Sequence, residues 1–357
     1  MLPDILKKDE VNTVETWEKV RRPEIMRMFE TWVYGVTPVE PLDCLEARVT
    51  ETEYLMEGAV KKETYYLHME RKGKSCGFHY RVFSPAMGKA AGAVLMINPF
   101  SRNQALDYPG KELDHMPYDL ITACGYIGVH ADVDELCADD AECYKEGLWE
   151  LFPESMEGAA AWGAIGMWAY AASRVVDCLI MQDFVECGRI VVCGCSRAGK
   201  AALWCGAQDE RIGLVISNVS GCTGAAVTRG KTGEHIKDIT TQFPHWMCKH
   251  YASFADREEE LPVDQHMLLA LCAPRPLYVS SASEDSWADP QKEFEAAKLA
   301  GEVYGLYGET GLEGETFPKA DIPVGNGFIC YHNRQGVHGC RRYDWEQYLP
   351  FIQNHFN

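Results

Sequence analysis

The 357-residue chain carries a formal net charge of −19, with 46% hydrophobic and 24% charged residues. This balance is typical of a soluble globular protein, and the length is sufficient for one large α/β domain. No basic stretch is present that could neutralise phosphates, so the charge argues against a nucleic-acid partner and against docking to anionic membranes. We expect a single domain over residues 1–357, with an N-terminal extension at 1–90 and a core at 91–357.

The first residues of the chain, Met1–Glu10, contain no apolar run of the kind found in secretory signals, which predicts a cytoplasmic protein. Apolar stretches such as Ala159–Ala172 are interrupted by glycine and tryptophan and are too short to cross a bilayer. The fifteen cysteines show neither C-x-x-C pairs nor zinc-finger spacing. We therefore expect reduced core cysteines rather than a disulfide framework.

The first ninety residues combine one helical pattern with three alternating segments. Apolar residues recur at helical spacing over Thr13–Tyr34, and Pro23 is expected to break this helix in two. The residues that form this pattern are Trp17, Val20, Ile25, Met28, Phe29 and Trp32. Antiparallel strands are predicted at Ala47–Thr50, Thr64–Glu70 and Gly77–Ser84.

From Gly92 onwards the pattern changes to strands that alternate with helices. The predicted strands are Ala93–Asn98, Tyr126–His130, the run from Ile190, Leu214–Ser217 and Leu277–Ser281. The predicted helices are Pro117–Cys124, Ala159–Met181, Arg197–Gln208, Asp289–Leu299 and Asp344–Phe356, the last bent at Pro350. This alternation predicts an α/β fold with a doubly wound, mostly parallel sheet and helices on both faces. Functional sites of such folds lie at the carboxyl ends of the strands.

One segment in this part of the chain, Ile190–Ala202, predicts a strand, a sharp turn and a helix without a polar loop between them. Ser196 lies at the turn, as in the nucleophile elbow of α/β-hydrolases. Gly194 and Gly199 allow the strand and the helix to approach closely, although Ala198 occupies the position where the elbow usually has its second glycine. The pattern favours a nucleophilic serine over an ordinary turn serine.

A serine nucleophile needs a base, and the position of each histidine in the chain distinguishes the candidates for this role. In α/β-hydrolases the chain order is serine, acid and then histidine, each partner following a late strand. His338 lies in a glycine-flanked loop before the last helix and is favoured over His332, which lies in a strand-like segment. His245 and His266 occupy apolar segments and are interpreted as core histidines.

The acid that orients the base is expected just past a late strand. Asp285 follows the strand that ends at Ser281, and it is favoured over its neighbour Glu284. A solvated acidic loop is the alternative, but it would not explain why Trp287 follows directly.

Two cations, Arg197 and Lys200, lie in the first turn of the helix after Ser196, where the helix dipole disfavours positive charge. Their position indicates negative charge or hydroxyl groups nearby, and two exposed surface cations are the alternative. Lys200 lies one helical turn from Ser196 and can reach a bound substrate. We expect the oxyanion to be held by the backbone N–H of Arg197 and by an amide near Phe100.

A set of motifs that includes these residues resembles the glucuronoyl esterases, carbohydrate esterase family 15. The similarity runs from about Trp17 to the C terminus. The matching segments are Gly194–Lys200, Gly224–Ala226 with Arg229, Phe243–Trp246, Leu261–His266, Ala273–Pro276 and Trp287–Pro290. The resemblance implies an α/β-hydrolase fold and a serine esterase that cleaves esters between glucuronic acid, typically 4-O-methylated, and an alcohol. We expect it to act without a metal or cofactor.

The resemblance also implies roles for single residues. It identifies Ser196 as the nucleophile, His338 as the base and Arg197 as the residue that supports the oxyanion. The residues implied to contact the sugar are Lys200, Glu234 and Trp287.

The chain departs from the family pattern at two positions. Many members carry a catalytic glutamate where this chain has Val219, and the family's alternative acid position matches Asp285. Fungal members form a disulfide between the cysteine before the serine and a cysteine directly after the histidine, whereas here Cys195 would face Gly339. We expect a small uronate ester or a short oligosaccharide as the substrate. An acetyl esterase with the same triad and a catalytically silent carbohydrate-binding relative are the alternatives.

Overall fold

The strands and helices described here come from a computed structural model, which covers residues 1–7, 10–100, 114–182, 184–314 and 316–356. The strands are β1 (Cys44–Leu55), β2 (Val60–Arg71), β3 (Lys74–Pro85), β4 (Ala93–Asn98), β5 (Ile127–Asp132), β6 (Ile190–Cys195), β7 (Leu214–Asn218), β8 (Leu277–Ala282) and β9 (Ile329–Arg334). The helices are α1 (residues 14–34), α2 (Tyr118–Ala123), α3 (Leu148–Leu151), α4 (Ala164–Met181), α5 (Arg197–Gln208), α6 (Ile236–Gln242), α7 (Gln265–Ala270), α8 (Pro290–Leu306) and α9 (Arg342–Phe356). Short 3₁₀ turns lie at Met56–Gly58, Val133–Glu135, Pro153–Met156, Tyr251–Phe254 and Glu258–Glu260.

The described strands form one nine-stranded sheet in the order β1-β2-β3-β5-β4-β6-β7-β8-β9. The first three strands pair antiparallel, and β3 continues antiparallel onto β5. The six strands from β5 to β9 run parallel, which confirms the predicted mostly parallel sheet. The N-terminal extension therefore continues the core sheet, and the carboxyl ends of β6, β7, β8 and β9 lie side by side at one edge.

Helices cover both faces of the parallel part of the sheet. All six residues of β4 are buried. Ala93, Leu95 and Ile97 face a core shared with α4, α5, α7 and α8, whereas Val94 and Met96 face a second core shared with α2 and α9. Burial on both faces explains why the parallel strands are near-continuous apolar runs rather than alternating ones.

Helix α4 is long and apolar enough to cross a membrane by length and composition alone, but 72% of it is buried inside the protein. Its apolar side chains pack in the core between the sheet and the neighbouring helices. The helix begins five residues after the predicted start, at Ala164. Its composition therefore reflects its central position in the fold.

The predicted break in α1 at Pro23 is wrong. Residues 14–34 form one helical run, in which π-helical turns at Trp17–Arg21 and Glu30–Tyr34 flank an α-helical part, Arg22–Phe29. Pro23 lies inside this run, directly after the π-helical turn, in which the Arg22 N–H donates to the Trp17 carbonyl five residues earlier. Val20, predicted on the apolar face, is 61% exposed because the π turn alters the helical phase.

Candidate active site

Ser196 lies at the sharp turn between β6 and α5. Its backbone has φ 60° and ψ −125°, a sparsely populated conformation for a residue with a side chain. The Ser196 N–H donates to the carbonyl of Asn218 at the end of β7 (2.8 Å), which holds this conformation. A Cβ at Gly194 would overlap the carbonyl of Ala198, and a Cβ at Gly199 would also be crowded. The predicted strained elbow and its close approach of strand and helix are confirmed.

His338 and Asp285 form a hydrogen-bonded pair. Nδ1 of His338 lies 2.6 Å from Oδ2 of Asp285, and the other oxygen of Asp285 accepts the N–H of Ala288 at 3.2 Å. The carboxylate is 4% exposed, whereas the imidazole is 46% exposed. Glu284, the alternative acid, is exposed and bonds to Gln335. A buried carboxylate behind an accessible imidazole fixes the ring tautomer and leaves Nε2 to accept a proton.

The histidine loop contacts the strand that carries the serine. Ser196 follows β6, Asp285 follows β8 and His338 follows β9, and these parallel strands end at the same edge of the sheet. The backbone N–H of Cys340 donates to the thiol of Cys195, the residue directly before Ser196. The sheet thus gathers the three predicted triad residues at one edge, and the acid and the base are in direct contact there.

Two of the alternative histidines are core residues: His266, as predicted, and His332, the competing candidate for the base. His332 is fully buried in β9, where its ring bonds to Asp344 at 2.7 Å and to the hydroxyl of Tyr278 at 3.1 Å. His266 is buried and bonds to the carbonyl of Pro3 at 2.9 Å. Burial lowers the pKa of His266, which favours its neutral form.

The third, His245, belongs to a buried network around Arg197. The guanidinium of Arg197 bonds to Oδ2 of Asp139, and Oδ1 of Asp139 meets Nε2 of His245 at 2.9 Å and Nε1 of Trp246 at 2.7 Å. Burial alone would raise the pKa of Asp139, but the His245 hydrogen bond and the charge of Arg197 hold this pKa below its usual value. The carboxylate is therefore ionised and anchors the guanidinium beside the elbow.

Aromatic rings enclose the guanidinium of Arg197. Its carbon lies 4.6 Å from the ring centre of Trp246, 5.1 Å from that of Phe243 and 5.3 Å from that of Phe100. The Phe100 amide, predicted to hold the oxyanion, donates to Oδ1 of Asn98 at 3.3 Å, so this role stays a prediction. The residues that directly follow Phe100 in this loop lie outside the described part of the chain.

Lys200 is 2% exposed, so the alternative that it is a surface cation is wrong. Its ammonium donates to the carbonyls of Ser220 (2.7 Å) and Cys222 and to Oε2 of Glu234 (3.1 Å). An ammonium group has three N–H donors, and all three are engaged here. A carboxylate thus faces Lys200, as one faces Arg197. These carboxylates explain why two cations can lie at the N-terminal end of α5, where the helix dipole disfavours positive charge.

The two remaining predicted sugar contacts, Glu234 and Trp287, lie next to each other. The Glu234 N–H donates to the Trp287 carbonyl at 2.9 Å. The buried ammonium of Lys231 donates to the carbonyls of Glu234 (2.7 Å) and Trp287 (3.3 Å), and burial lowers the pKa of Lys231. The Trp287 side chain is 48% exposed and follows Asp285 by two residues. The predicted sugar-contact residues therefore adjoin the acid–base pair.

Val219 occupies the position where many family members have a catalytic glutamate. Its side chain is buried in the core at φ 42°, and its N–H donates to the Ser280 carbonyl at 2.7 Å. All fifteen cysteines lie within the described residues, and none of them forms a disulfide there. Burial raises the pKa of Cys195 to about 12. Among the described residues, no group of His, Cys, Asp and Glu side chains is arranged to hold a metal ion.

Asp139 and Glu293 are among the buried carboxylates that the sequence patterns do not reveal. Asp139 could not be distinguished locally from the adjacent Asp140, because only the fold brings it to Arg197. Glu293 has the position of an ordinary acid in the first turn of a helix. It is fully buried, however, and its oxygens accept the N–H of Gly221 (2.9 Å) and the hydroxyl of Ser281 (2.6 Å). Burial raises its pKa to about 7.

Comparisons with known proteins agree with this geometry. The family model described as glucuronyl esterase, fungi, matches residues 69–308. Carbohydrate esterase MZ0003, from an unknown prokaryotic organism, is 31% identical over 381 aligned residues, covering 97% of this chain and 86% of the relative. A 4-O-methyl-glucuronoyl methylesterase of Podospora anserina is 36% identical over 135 residues, 35% of this chain and 28% of the relative. The solved glucuronoyl esterase from Solibacter usitatus has a TM-score of 0.92 and 34% identity, and the match covers 100% of this chain and 98% of that one. The chain therefore belongs to the glucuronoyl esterase family, carbohydrate esterase family 15, whose members are carboxylic ester hydrolases of the α/β-hydrolase fold.

Proposed function

We propose that this protein hydrolyses esters of glucuronic acid or its 4-O-methyl derivative, such as those in xylan-derived oligosaccharides, through an acyl-enzyme intermediate. The observation that carries the proposal is the 2.6 Å hydrogen bond between His338 and Asp285, at the sheet edge where Ser196 stands on its elbow. The names of the family relatives support a uronate ester as the substrate. A cytoplasmic location remains our prediction and would favour short, imported oligosaccharides.

In the first half-reaction, Nε2 of His338 takes the proton of the Ser196 hydroxyl as Oγ attacks the ester carbonyl. Asp285 stabilises the imidazolium that forms. The backbone N–H and the guanidinium of Arg197 stabilise the negative charge that develops on the carbonyl oxygen. When the intermediate collapses, the C–O bond to the alcohol breaks, and His338 donates its proton to the leaving oxygen.

The second half-reaction repeats these steps with water. His338 deprotonates the water molecule, which attacks the carbonyl carbon of the acyl-enzyme. The bond to Ser196 then breaks, Oγ regains the proton and the free uronic acid leaves. The same base and the same oxyanion contacts therefore serve both half-reactions.

We assign sugar recognition to Glu234 and to the half-exposed Trp287. A carboxylate accepts hydrogen bonds from sugar hydroxyl groups, and an aromatic side chain covers the apolar face of the ring. Because every donor of Lys200 is engaged, we assign it to holding Glu234 in place. A direct contact between Lys200 and the sugar would require it to exchange one of its two backbone carbonyl partners for a hydroxyl.

The test is hydrolysis of benzyl glucuronate by the wild type, Ser196→Ala and Asp285→Asn. We expect both variants to lose several orders of magnitude in kcat, because the triad acts as a unit. Ser253→Ala and Glu284→Gln are matched controls, since both side chains are exposed, and they should retain activity. Undiminished hydrolysis by Ser196→Ala would refute the mechanism.

Substrate class is tested separately by comparing kcat/KM for benzyl glucuronate with that for acetyl esters of sugars. A higher value for the acetyl esters would refute the uronate assignment and leave the triad intact. An organophosphonate probe should label Ser196 in the wild type, because labelling requires an activated hydroxyl. A folded wild-type protein without labelling would support a silent carbohydrate-binding relative.

A further inference from the structure

The loop that carries His338 is held by one buried arginine. Arg334, the last residue of β9, donates from Nη1 to the carbonyl of Gln335 at 2.9 Å. Its Nη2 donates to the carbonyls of Val337 and Gly339, both at 2.8 Å. Two of these carbonyls precede His338 and one follows it. The guanidinium therefore fixes the backbone on both sides of the histidine.

Asp344 in turn fixes the arginine. Its Oδ2 accepts Nε–H of Arg334 at 3.2 Å and the backbone N–H of Arg341 at 2.7 Å. Its Oδ1 bonds to the core residue His332 at 2.7 Å. Asp344 is fully buried in the first turn of α9. Asp344 therefore ties the arginine, and through it the histidine loop, to buried residues of the core.

The same loop is joined to the loop of the acid. The Ser283 N–H donates to the Arg334 carbonyl at 2.8 Å, and the Glu284 N–H donates to the Gly336 carbonyl at 2.9 Å. The Gly336 N–H donates back to the hydroxyl of Ser283 at 3.1 Å. Through these bonds the position of the histidine loop also sets the distance between base and acid.

The loop needs such support because of its composition. Gly336 and Gly339 adopt φ 114° and φ 125°, and glycine has the largest freedom to leave such conformations. The imidazole of His338 is 46% exposed, so packing restrains it little. A planar guanidinium can hold several carbonyls at fixed angles, whereas an ammonium presents its donors from a single point.

We propose that Arg334, anchored by Asp344, is a positioning residue that holds His338 in the geometry required to meet both Asp285 and Ser196. This inference rests on the proposed function, in which His338 is the catalytic base. Arg334 acts through the backbone of the loop and does not touch the substrate.

Two variants test the inference, Arg334→Ala and Arg334→Lys. The lysine variant retains the charge that faces Asp344 and most of the side-chain volume. It therefore keeps the inference testable if the alanine variant does not fold. We expect kcat for benzyl glucuronate to fall about a hundredfold in the alanine variant and at least about tenfold in the lysine variant, because small displacements of reacting groups cost factors of this size. KM should change less than about threefold, because the sugar contacts lie elsewhere. The rate of Ser196 labelling by an organophosphonate should fall in parallel with kcat.

Arg275→Ala is the matched control. Arg275 also clamps backbone carbonyls, those of Leu271, Cys272, Asp209 and Ile212, but it precedes β8 at the opposite end of the sheet. This variant should lose thermal stability without the loss in kcat or labelling. Guanidinium ion at millimolar concentration should partly restore kcat in Arg334→Ala and leave Arg275→Ala unchanged.

Wild-type kcat in the folded Arg334→Lys variant would overturn the inference, as would an equal loss of kcat in Arg275→Ala. Neither result would affect the proposed function, which is judged by Ser196→Ala and by Asp285→Asn. If those two variants remain active, the proposed function fails first and the role of Arg334 fails with it.

Discussion

Replacing Glu293 by glutamine should change how the stability of the fold depends on pH. The side chain is fully buried, with one oxygen bonded to the Gly221 N–H and the other to the Ser281 hydroxyl. Burial raises its pKa from 4.5 to about 7. In the unfolded chain the carboxyl group is in water and titrates near its ordinary value. Folding therefore makes this carboxyl bind its proton more tightly.

The sign follows from this difference in proton binding. The contribution of Glu293 to stability is fully present below about pH 4.5 and is lost as the pH rises through about 7. At about 1.4 kcal/mol per pH unit, the whole shift corresponds to about 3 kcal/mol. Most of this stabilisation is lost between pH 5 and pH 8. Over that range the unfolding free energy of the wild type should fall by roughly 2 to 3 kcal/mol more than that of a glutamine variant.

The assay is urea unfolding of the wild type and Glu293→Gln at pH 5 and at pH 8. The other titrating groups contribute equally to both proteins, so they cancel when the two are compared at the same pH. The unfolding free energy of the variant minus that of the wild type should be roughly 2 to 3 kcal/mol larger at pH 8 than at pH 5. Glutamine keeps a carbonyl oxygen for the Gly221 N–H. Glu295→Gln removes a partly exposed carboxylate, paired with Lys292, from the same helix and is the control. If the difference in unfolding free energy between variant and wild type were the same at pH 5 and pH 8, the reasoning would be refuted, because Glu293 in the folded protein would then be ionised at both pH values.

Three further substitutions test contacts of the site. Asp139→Asn removes the charge that holds Arg197 and should lower kcat about ten- to a hundredfold with little change in KM. This decrease is smaller than the one expected when an oxyanion donor is removed altogether. An unchanged kcat would contradict the role of Asp139. Glu234→Gln leaves a buried ammonium without its carboxylate and should cost about 3 to 5 kcal/mol in urea unfolding, so a loss below about 1 kcal/mol would refute the pairing. Gly194→Ala forces a methyl group against the carbonyl of Ala198 and should lower the unfolding free energy by at least about 1 to 3 kcal/mol; a melting temperature equal to that of the wild type would argue against the close approach.

The elbow could be predicted from the sequence because its strand, turn and helix are contiguous. The strand begins at Ile190, as predicted, and the helix Arg197–Gln208 has the predicted bounds. Asp285 and His338 could be chosen because the fold fixes the order of the triad and places each partner after a late strand. The choice of Asp285 over Glu284 depended on a single position, and the structure shows the first buried and the second exposed.

The supporting contacts could not be predicted, since they depend on residues far apart in the chain. Asp139 and Arg197 are 58 positions apart, and no local pattern links them. The role of Arg334 depends on how the following loop folds back over its guanidinium. The exposure of Val20 has another cause, because π-helical turns change the residues that share a helical face without leaving a clear composition signal. Local patterns thus predicted which groups react, whereas the contacts that hold these groups depend on the fold.

The pairing of the two cations beside Ser196 has a consequence for turnover. Hydrolysis converts a neutral ester into a uronate, whose negative charge exists only in the product. An uncompensated guanidinium and ammonium would attract that anion and retain it, but Arg197 and Lys200 already face Asp139 and Glu234. The net charge of −19 on the chain adds a repulsive field at long range. The enzyme should therefore release its acid readily and show weak product inhibition by free glucuronate.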